Sequence, residues 1–489
     1  MGRPPRLFCH FQAVCPRPRD RSPDNRPAPE GPATRPPILA PQGEIAMHMP
    51  DREGTAPTGP LLAWITVATL FLAQVISTID RGMLALVVDP VRADLGISEM
   101  QIALLQGFAF SIFYVTVGLP LGAVADRVNR RKLLIAGIVV WSLATIAGGL
   151  AEGFGAMFAS RLFIGVGEAV LGPCAVTMIG DIFPPERRGR PMALYVFGSM
   201  IAYGLGSLIS GLILEAAPRG AFAGLPLIGE LAPWRLTFIL VGASGAVILL
   251  LLLALREPPR RSDTPVGQGK VGTLSFAEGL RAMAGRARIF VCYYGAVALF
   301  AVGGSVSTMW GAVFLTRQYG LDIATAGQSL GTGQIVWAVC GAALAGIVVD
   351  KVGARGGAAL RMRLAATLTL LAIPSALPVL AGNVTLATLL LGAIMGVMAI
   401  YGTAMLAILS EIAPPSLRGF AVALYAFVMT LIGASLGPIA VAGLTENVFA
   451  DPSQVGWSMA IVGTVALGLS ALLAFTAASA IAREQETLA

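Results

Sequence analysis

Four charged residues sit in stretches that otherwise avoid water. Asp80 and Arg81 share one, and Arg161 and Glu168 share another, A-S-R-L-F-I-G-V-G-E-A-V-L-G at 159–172. If these stretches cross a membrane, an Asp, Lys or Arg at mid-depth costs roughly 2.5–3.5 kcal/mol, and four of them facing lipid would cost about 10 kcal/mol. They must therefore face a cavity or one another. Arg161 and Glu168 are seven apart, which places them on one helix face, about 10 Å apart along the axis. That leaves room for a third group, and a triad Asp80–Arg161–Glu168 is expected. A carboxylate beside an arginine stays ionised, whereas one that loses the contact in a low-dielectric site takes up a proton. An arginine that changes partners thus couples protonation to conformation, and these three residues are the candidates for proton coupling. Both histidines, His10 and His48, lie near the N-terminus, so intramembrane proton chemistry falls to carboxylates. The plainer alternative is a static buried ion pair that fixes helix packing.

The composition calls for a membrane. The chain of 489 residues is 56% hydrophobic and 12% charged, against about 25% charged in soluble domains. Its mean hydropathy is +0.77. Twelve segments reach the roughly 20 apolar residues that a spanning helix needs: 61–88, 99–125, 132–151, 155–181, 190–215, 235–255, 289–315, 324–349, 362–381, 385–412, 420–445 and 457–481. The fold class expected is an all-α polytopic membrane protein with twelve transmembrane helices. Residues 61–256 and 289–482 make two six-helix bundles, 257–288 a central loop and 483–489 a C-terminal tail. Residues 1–60, rich in Pro and Arg, read as a disordered tail, with Met47 and Met49 as alternative starts.

Charge placement gives the orientation. The net charge of +7 is spread over the N-terminal tail and over short loops at alternate ends of the spans, a topology signal rather than a nucleic-acid-binding face. Arg127, Arg130, Arg131 and Lys132 follow span two; Arg187, Arg188 and Arg190 follow span four; Lys351, Arg355 and Arg361 follow span eight. The three–four, nine–ten and eleven–twelve loops hold no Lys or Arg. Both termini and the central loop are therefore expected in the cytoplasm, and the Arg-rich, Lys-poor composition suggests a bacterial inner membrane. Cys9, Cys15, Cys174, Cys292 and Cys340 follow no metal or disulfide spacing, and no cofactor or metal is expected.

The chain repeats itself. G-A-V-A-D-R-V-N-R-R-K at 122–132 matches G-I-V-V-D-K-V-G-A-R-G at 346–356, and D-I-F-P-P-E-R-R-G at 181–189 matches E-I-A-P-P-S-L-R-G at 411–419. The two offsets agree closely enough for one duplication of a six-helix unit, an architecture of secondary transporters with a midplane site between the halves. Over residues 61–482 these motifs resemble the major facilitator superfamily. The resemblance implies a cytoplasmic latch between the halves, matched here by Gly122, Asp126, Arg127 and Arg131, with Asp181 nearby and Asp350 and Arg418 as repeat counterparts. Asn129 replaces the family's usual glycine, and Asn tolerates a left-handed backbone.

A closer resemblance runs through S-T-I-D-R-G-M-L-A-L-V-V-D-P, R-L-F-I-G-V-G-E-A and W-G-A-V-F-L-T-R-Q-Y-G-L, which are similar to the spinster branch of that superfamily. The branch implies a proton-coupling acid in helix one with an Arg and Glu in helix four, here Asp80, Arg161 and Glu168. It also implies lysophospholipid-like or sphingolipid-phosphate-like cargo in its animal members. Ala312 stands where the branch often has Pro, which puts the bend of span seven in question. Tyr203, Trp310, Trp337 and Tyr401 are large groups with a polar handle and are candidates for a substrate cavity, with Arg161 as anion contact.

The expectation is a monomeric secondary transporter that couples a small organic or amphiphilic, lipid-like anionic solute to protons. The alternatives within the superfamily are proton-driven multidrug efflux and organic-anion uptake. Efflux antiporters carry G-x-x-x-G-P in span five, whereas here G-A-S-L-G-P lies at 433–438 in span eleven. A membrane enzyme is disfavoured because H-E-x-x-H and G-x-S-x-G are absent. A channel lacks a filter sequence, and G-Q-G-K-V-G-T at 267–273 has Val271 where a phosphate loop needs Ser or Thr.

Overall fold

Backbone groups in hydrocarbon must be satisfied within their own segment, and the apolar stretches accordingly form helices. In this computed structural model the described residues are 59–125, 127–184, 187–224, 229–260, 276–414 and 417–488. Residues 1–58 of the expected tail, 261–275 of the central loop and Asp126 lie outside them. Residues Thr55–Ala489 form one compact unit.

The spanning helices are α1 (Pro60–Met83), α2 (99–125), α3 (Arg130–Gly149), α4 (Phe154–Ile182), α5 (Gly189–Ala216), α6 (Pro233–Ala254), α7 (Ala287–Tyr319), α8 (323–355), α9 (358–376), α10 (Val384–Ile412), α11 (Arg418–Phe449) and α12 (Val455–Leu488). Short helices Val88–Leu95 and Phe276–Ala284 lie between spans.

Two details depart from expectation, and a third answers the question left open at span seven. The eight–nine loop is two residues long. The chain stays helical to 355 and turns at Gly356 and Gly357, where Gly357 has φ +55°, a conformation that side-chain-bearing residues rarely adopt. The helix Ile323–Ala376 therefore holds two spans, and the eleven helices long enough to cross a membrane among the described residues give twelve spans. Asn129 is extended rather than left-handed (φ −66°), and it caps α3 by accepting from the Lys132 N–H at 2.8 Å. Helix α7 runs unbroken for 33 residues, with Ala312 inside it.

Buried apolar residues show how the halves meet. At the end carrying the α1–α2 connection, one cluster joins the first six spans to the last six, for example Met83, Leu105 and Phe238 with Trp310, Phe314 and Leu330. At the other end each half has its own cluster. Across the shared seam α5 meets α8 at glycines. A Cβ on Gly331 would lie 2.5 Å from the Gly204 carbonyl oxygen, and one on Gly211 would lie 2.8 Å from that of Ala324.

Candidate functional site

The four interior charges form two ion pairs rather than a triad. Asp80 and Arg81 lie in the last turn of α1, and neighbouring residues on a helix point about 100° apart. Asp80 turns to the start of α4, where its Oδ1 lies 3.8 Å from Arg161 Nη1; that nitrogen also donates to the Asp80 carbonyl at 3.3 Å. The Thr145 hydroxyl of α3 donates to the other Asp80 oxygen. The Arg161 guanidinium lies 5.1 Å from the centre of the Phe238 ring, and both charged residues are sealed from solvent. Arg81 turns the other way, and its Nε lies 3.0 Å from Glu168 Oε2.

Local sequence explains where Glu168 sits. Pro173 cannot donate to the carbonyl four residues earlier and crowds it, so α4 breaks at 169–170, and Glu168 ends the first segment. Gly165 and Gly167 press that segment onto its neighbours. Their Cβ atoms would lie 2.5 Å from the Phe110 carbonyl oxygen of α2 and 2.6 Å from that of Gly137 of α3.

Of the two pairs, one reaches a cavity. Between the halves lies a space of about 180 Å³ lined by Arg81, Gln106, Phe110, Ser111 and Tyr203 on one side. Met309, Met398, Met429, Ser305, Thr308 and Thr430 are among those lining the other. Among the described residues Arg81 is the one charged residue in this lining; its side chain is 22% exposed, against 0% for Glu168 behind it. Its guanidinium lies 5.3 and 5.6 Å from the Phe110 and Tyr114 ring centres. The cavity is flanked by two π-helical turns, Leu104–Phe108 in α2 and Val428–Gly433 in α11, which often mark functional sites.

The five residues expected around a substrate separate. Tyr203 lines the cavity. Arg161 does not, because Asp80 and Phe238 enclose it. Trp310 is fully buried, and Tyr401 is stacked on Phe300 with centroids 3.7 Å apart inside the C-terminal half. Trp337 is 38% exposed and lines a separate groove between α8 and α10.

Of the expected latch residues, Asp126 lies outside the described residues. Asp181 pairs with Arg130 at 2.5 Å, and Arg130 also reaches Glu257, at the start of the central loop, at 3.2 Å. Arg131 donates to the Leu252 and Leu253 carbonyls at 2.7 and 2.8 Å, closing the C-terminal end of α6. Arg127, Asp350 and Arg418 face solvent, and a Cβ on Gly122 would meet open space. The second half repeats the arrangement: Arg361 pairs with Glu411, and Arg286 holds Glu484 at 2.5 Å.

Contacts between the halves lie at the opposite end. Arg317 of α7 reaches Asp89 at 2.6 Å and Glu99 at 2.7 Å, and Arg92 shares Glu99 at 2.8 Å. The Met100 N–H donates to Glu446 at 2.9 Å, and Gln106 Nε2 donates to the Met309 carbonyl at 3.1 Å. Sequence reading passed over Arg81 as a partner, Thr145, Arg130 and the Arg317 cluster. Charge balance alone, two acids and two bases, pointed to Arg81. Among the described residues no group of three His, Cys, Asp or Glu could hold a metal ion.

Comparison with known proteins agrees with this architecture. The chain is 25% identical over 440 residues to an MFS-type efflux pump of Mycolicibacterium smegmatis, covering 89% of this chain and 93% of that one. It is 28% identical over 281 residues to protein spinster homolog 1 of Homo sapiens, a match that takes in 55% of this chain and 49% of the relative. Among solved structures, an inward-facing, unoccupied bacterial homolog of the human lysosomal transporter Spinster superposes with a TM-score of 0.71 at 24% identity, over 87% of this chain and 98% of that one. The Major Facilitator Superfamily profile matches residues 70–438. With twelve spans, a cavity between two six-helix halves and this match over most of its length, the chain belongs to the Major Facilitator Superfamily and is an integral membrane transporter of small molecules, not an enzyme.

Proposed function

We propose that the protein moves an anionic amphiphile together with a proton, using Arg81 and Glu168 as the exchanging pair. The observation that carries this reading is the position of Arg81, with one side in the cavity and the other held by Glu168 buried behind it. A buried carboxylate that loses its counter-ion is far more stable protonated. When a substrate anion draws Arg81 forward, Glu168 takes up a proton; when Glu168 is protonated, Arg81 is free for an anion. Anion and proton then travel together. The Asp80–Arg161 pair, sealed from the cavity, holds α1, α3 and α4 in register so that Arg81 and Glu168 face each other.

The cavity's shape supports an amphiphile. Its polar groups lie near Arg81 on the first half, while three methionines on the second half offer an adaptable apolar wall. At about 180 Å³ it falls below the roughly 300–1,000 Å³ of pockets for drug-sized ligands, in keeping with a state closed around a small head group. The Arg317–Asp89–Glu99 cluster and the α5–α8 glycine seam close the α1–α2 end, which the charge bias assigns to the non-cytoplasmic side of a bacterial inner membrane. Alternating access opens that seam and closes the other end. Cavity and seams lie within one chain, so a monomer suffices.

Proton-driven efflux of cationic drugs is the second reading, favoured by the mycobacterial efflux pump's similarity along almost its whole length. Among the described residues no carboxylate lines the cavity, which speaks for an anion instead. Proteoliposomes under an imposed pH gradient separate the two. Octyl sulfate, which cannot carry a proton itself, is expected to follow the gradient, and octyltrimethylammonium is not. Gradient-driven movement of the ammonium alone would establish the efflux reading, and octyl sulfate flux indifferent to pH would remove proton coupling.

A further inference from the structure

A buried chain of hydrogen bonds runs from Arg81 to a residue on another helix. Arg81 Nη2 donates to the hydroxyls of Ser77 at 3.3 Å and Thr78 at 3.4 Å. The Thr78 hydroxyl donates its single proton to the Gln74 carbonyl at 3.0 Å, so its lone pairs are left to accept. Gln74 Nε2 donates to that same hydroxyl at 3.2 Å, and the Gln74 side-chain oxygen accepts from the Tyr195 hydroxyl of α5 at 2.6 Å. Tyr195, Gln74 and Thr78 are all buried.

The links are mutually consistent in direction. Because Tyr195 donates to Oε1, the Gln74 amide must point its NH₂ at Thr78, which holds the Thr78 lone pairs in place for Arg81. Without the tyrosine hydroxyl, Oε1 loses its donor and the amide is free to turn over, whereupon the Thr78 hydroxyl swings from the Gln74 carbonyl to donate to Oε1 and carries its lone pairs away from Arg81. The far end of the chain is anchored on α5, the helix whose glycines meet α8 of the other half.

We infer that Tyr195 is a positioning residue which, through Gln74 and Thr78, sets the direction of the Arg81 guanidinium and ties it to the helix lining the seam between the halves. The inference rests on the exchange between Arg81 and Glu168 proposed above. Nη2 is committed to the strut and Nε faces Glu168, and among the described residues Nη1 makes no hydrogen bond, which leaves it for the cavity that Arg81 lines. Movement of α5 against α8 reaches Arg81 through this strut. The charged and titratable groups around the pair are Asp80 on α1, Tyr114 on α2, Arg161 on α4, and Tyr195 and Tyr203 on α5.

The test needs no transported substrate. Infrared titration of the purified full-length protein from about pH 4 to 10 follows the protonated-carboxyl band, with Glu168→Gln identifying the contribution of Glu168. Tyr195→Phe and Thr78→Val are each expected to move the midpoint of that contribution upward by about half a pH unit, roughly threefold in proton affinity, because a misdirected Arg81 holds the carboxylate less firmly. Thr78→Ser keeps the hydroxyl and the wild-type midpoint. The double variant Tyr195→Phe/Thr78→Val moves it no further than the larger single change, as expected for one chain of contacts. General loosening of the fold lowers the melting temperature in all variants but does not give this pattern. An unmoved midpoint in Tyr195→Phe overturns the strut and leaves the exchange reading standing. A wild-type protein with no titrating Glu168 contribution overturns the exchange and the strut together.

Discussion

The two halves of this transporter descend from one pattern, and they have kept and lost different things. At the end holding the repeated motifs, each half has an arginine at the start of its third span facing an acid at the end of its fourth: Arg130 with Asp181, Arg361 with Glu411. A further acid at the close of each half, Glu257 or Glu484, is also held by arginine. The interiors do not match. Segments 224–230 residues beyond the four interior charges, 304–311 and 385–398, contain no charged residue and supply Thr308, Met309 and Met398 to the cavity wall. A feature present in both halves serves what both must do, which is hold a six-helix bundle together. A feature present in one is where the chemistry lies.

This contrast can be broken or sharpened by substitution. The largest effect is expected on stability from Arg161→Met, which strands Asp80 as a buried charge and costs about 3–5 kcal/mol. Asp80→Leu/Arg161→Met together should recover most of that in thermal unfolding, which would mark the pair as an internal fastening of the first half. Next, Arg81→Gln should weaken octyl sulfate binding by about 30- to 100-fold in calorimetry. Arg130→Met and Arg361→Met should each cost about 1–3 kcal/mol of stability and leave octyl sulfate affinity unchanged. Unequal roles there, with one clamp altering affinity, would show that the halves are not mechanically alike.

A smaller effect concerns the N-cap of α8. The Asp322 carboxylate accepts from the Thr325 hydroxyl and backbone N–H, which holds its carboxyl below the usual range. A lowered value in the folded state means stability present at neutral pH and lost as pH falls through that value. Asp322→Ala should therefore cost about 1 kcal/mol at neutral pH, with the difference from wild type vanishing in acid. Smallest of all, Met398→Leu should change octyl sulfate affinity less than about twofold, because the swap nearly conserves volume.

Much of this could be read before any coordinates. Span number and the duplication follow from apolar length and repeated motifs, since hydrocarbon admits few alternatives. The interior charges announced themselves by their cost. Their partners did not. Arg161 and Glu168 share a face, but the pairing depends on Asp80 and Arg81 pointing about 100° apart and on the break that Pro173 imposes after Glu168. Direction likewise decided the aromatic candidates. Trp310 and Tyr401 have the chemistry of cavity residues, yet Trp310 is buried in the cluster that joins the halves and Tyr401 in the interior of the second half, and residue type carries no information about which way a helix is turned. Gly356 and Gly357 looked like part of a loop because charges surround them, although two glycines were enough to reverse the path of the chain.

The two ion pairs have an electrical consequence. Two carboxylates and two guanidiniums leave the interior of the empty carrier with zero net charge. A monoanion bound at Arg81, accompanied by one proton on Glu168, leaves the sum at zero. A membrane potential does work only on charge that moves through it, about 2.3 kcal/mol per elementary charge per 100 mV. Neither the empty nor the loaded carrier gives it a handle. A valinomycin-imposed potential at fixed pH should then leave octyl sulfate flux unchanged, and the cell would drive this transporter with its pH gradient alone.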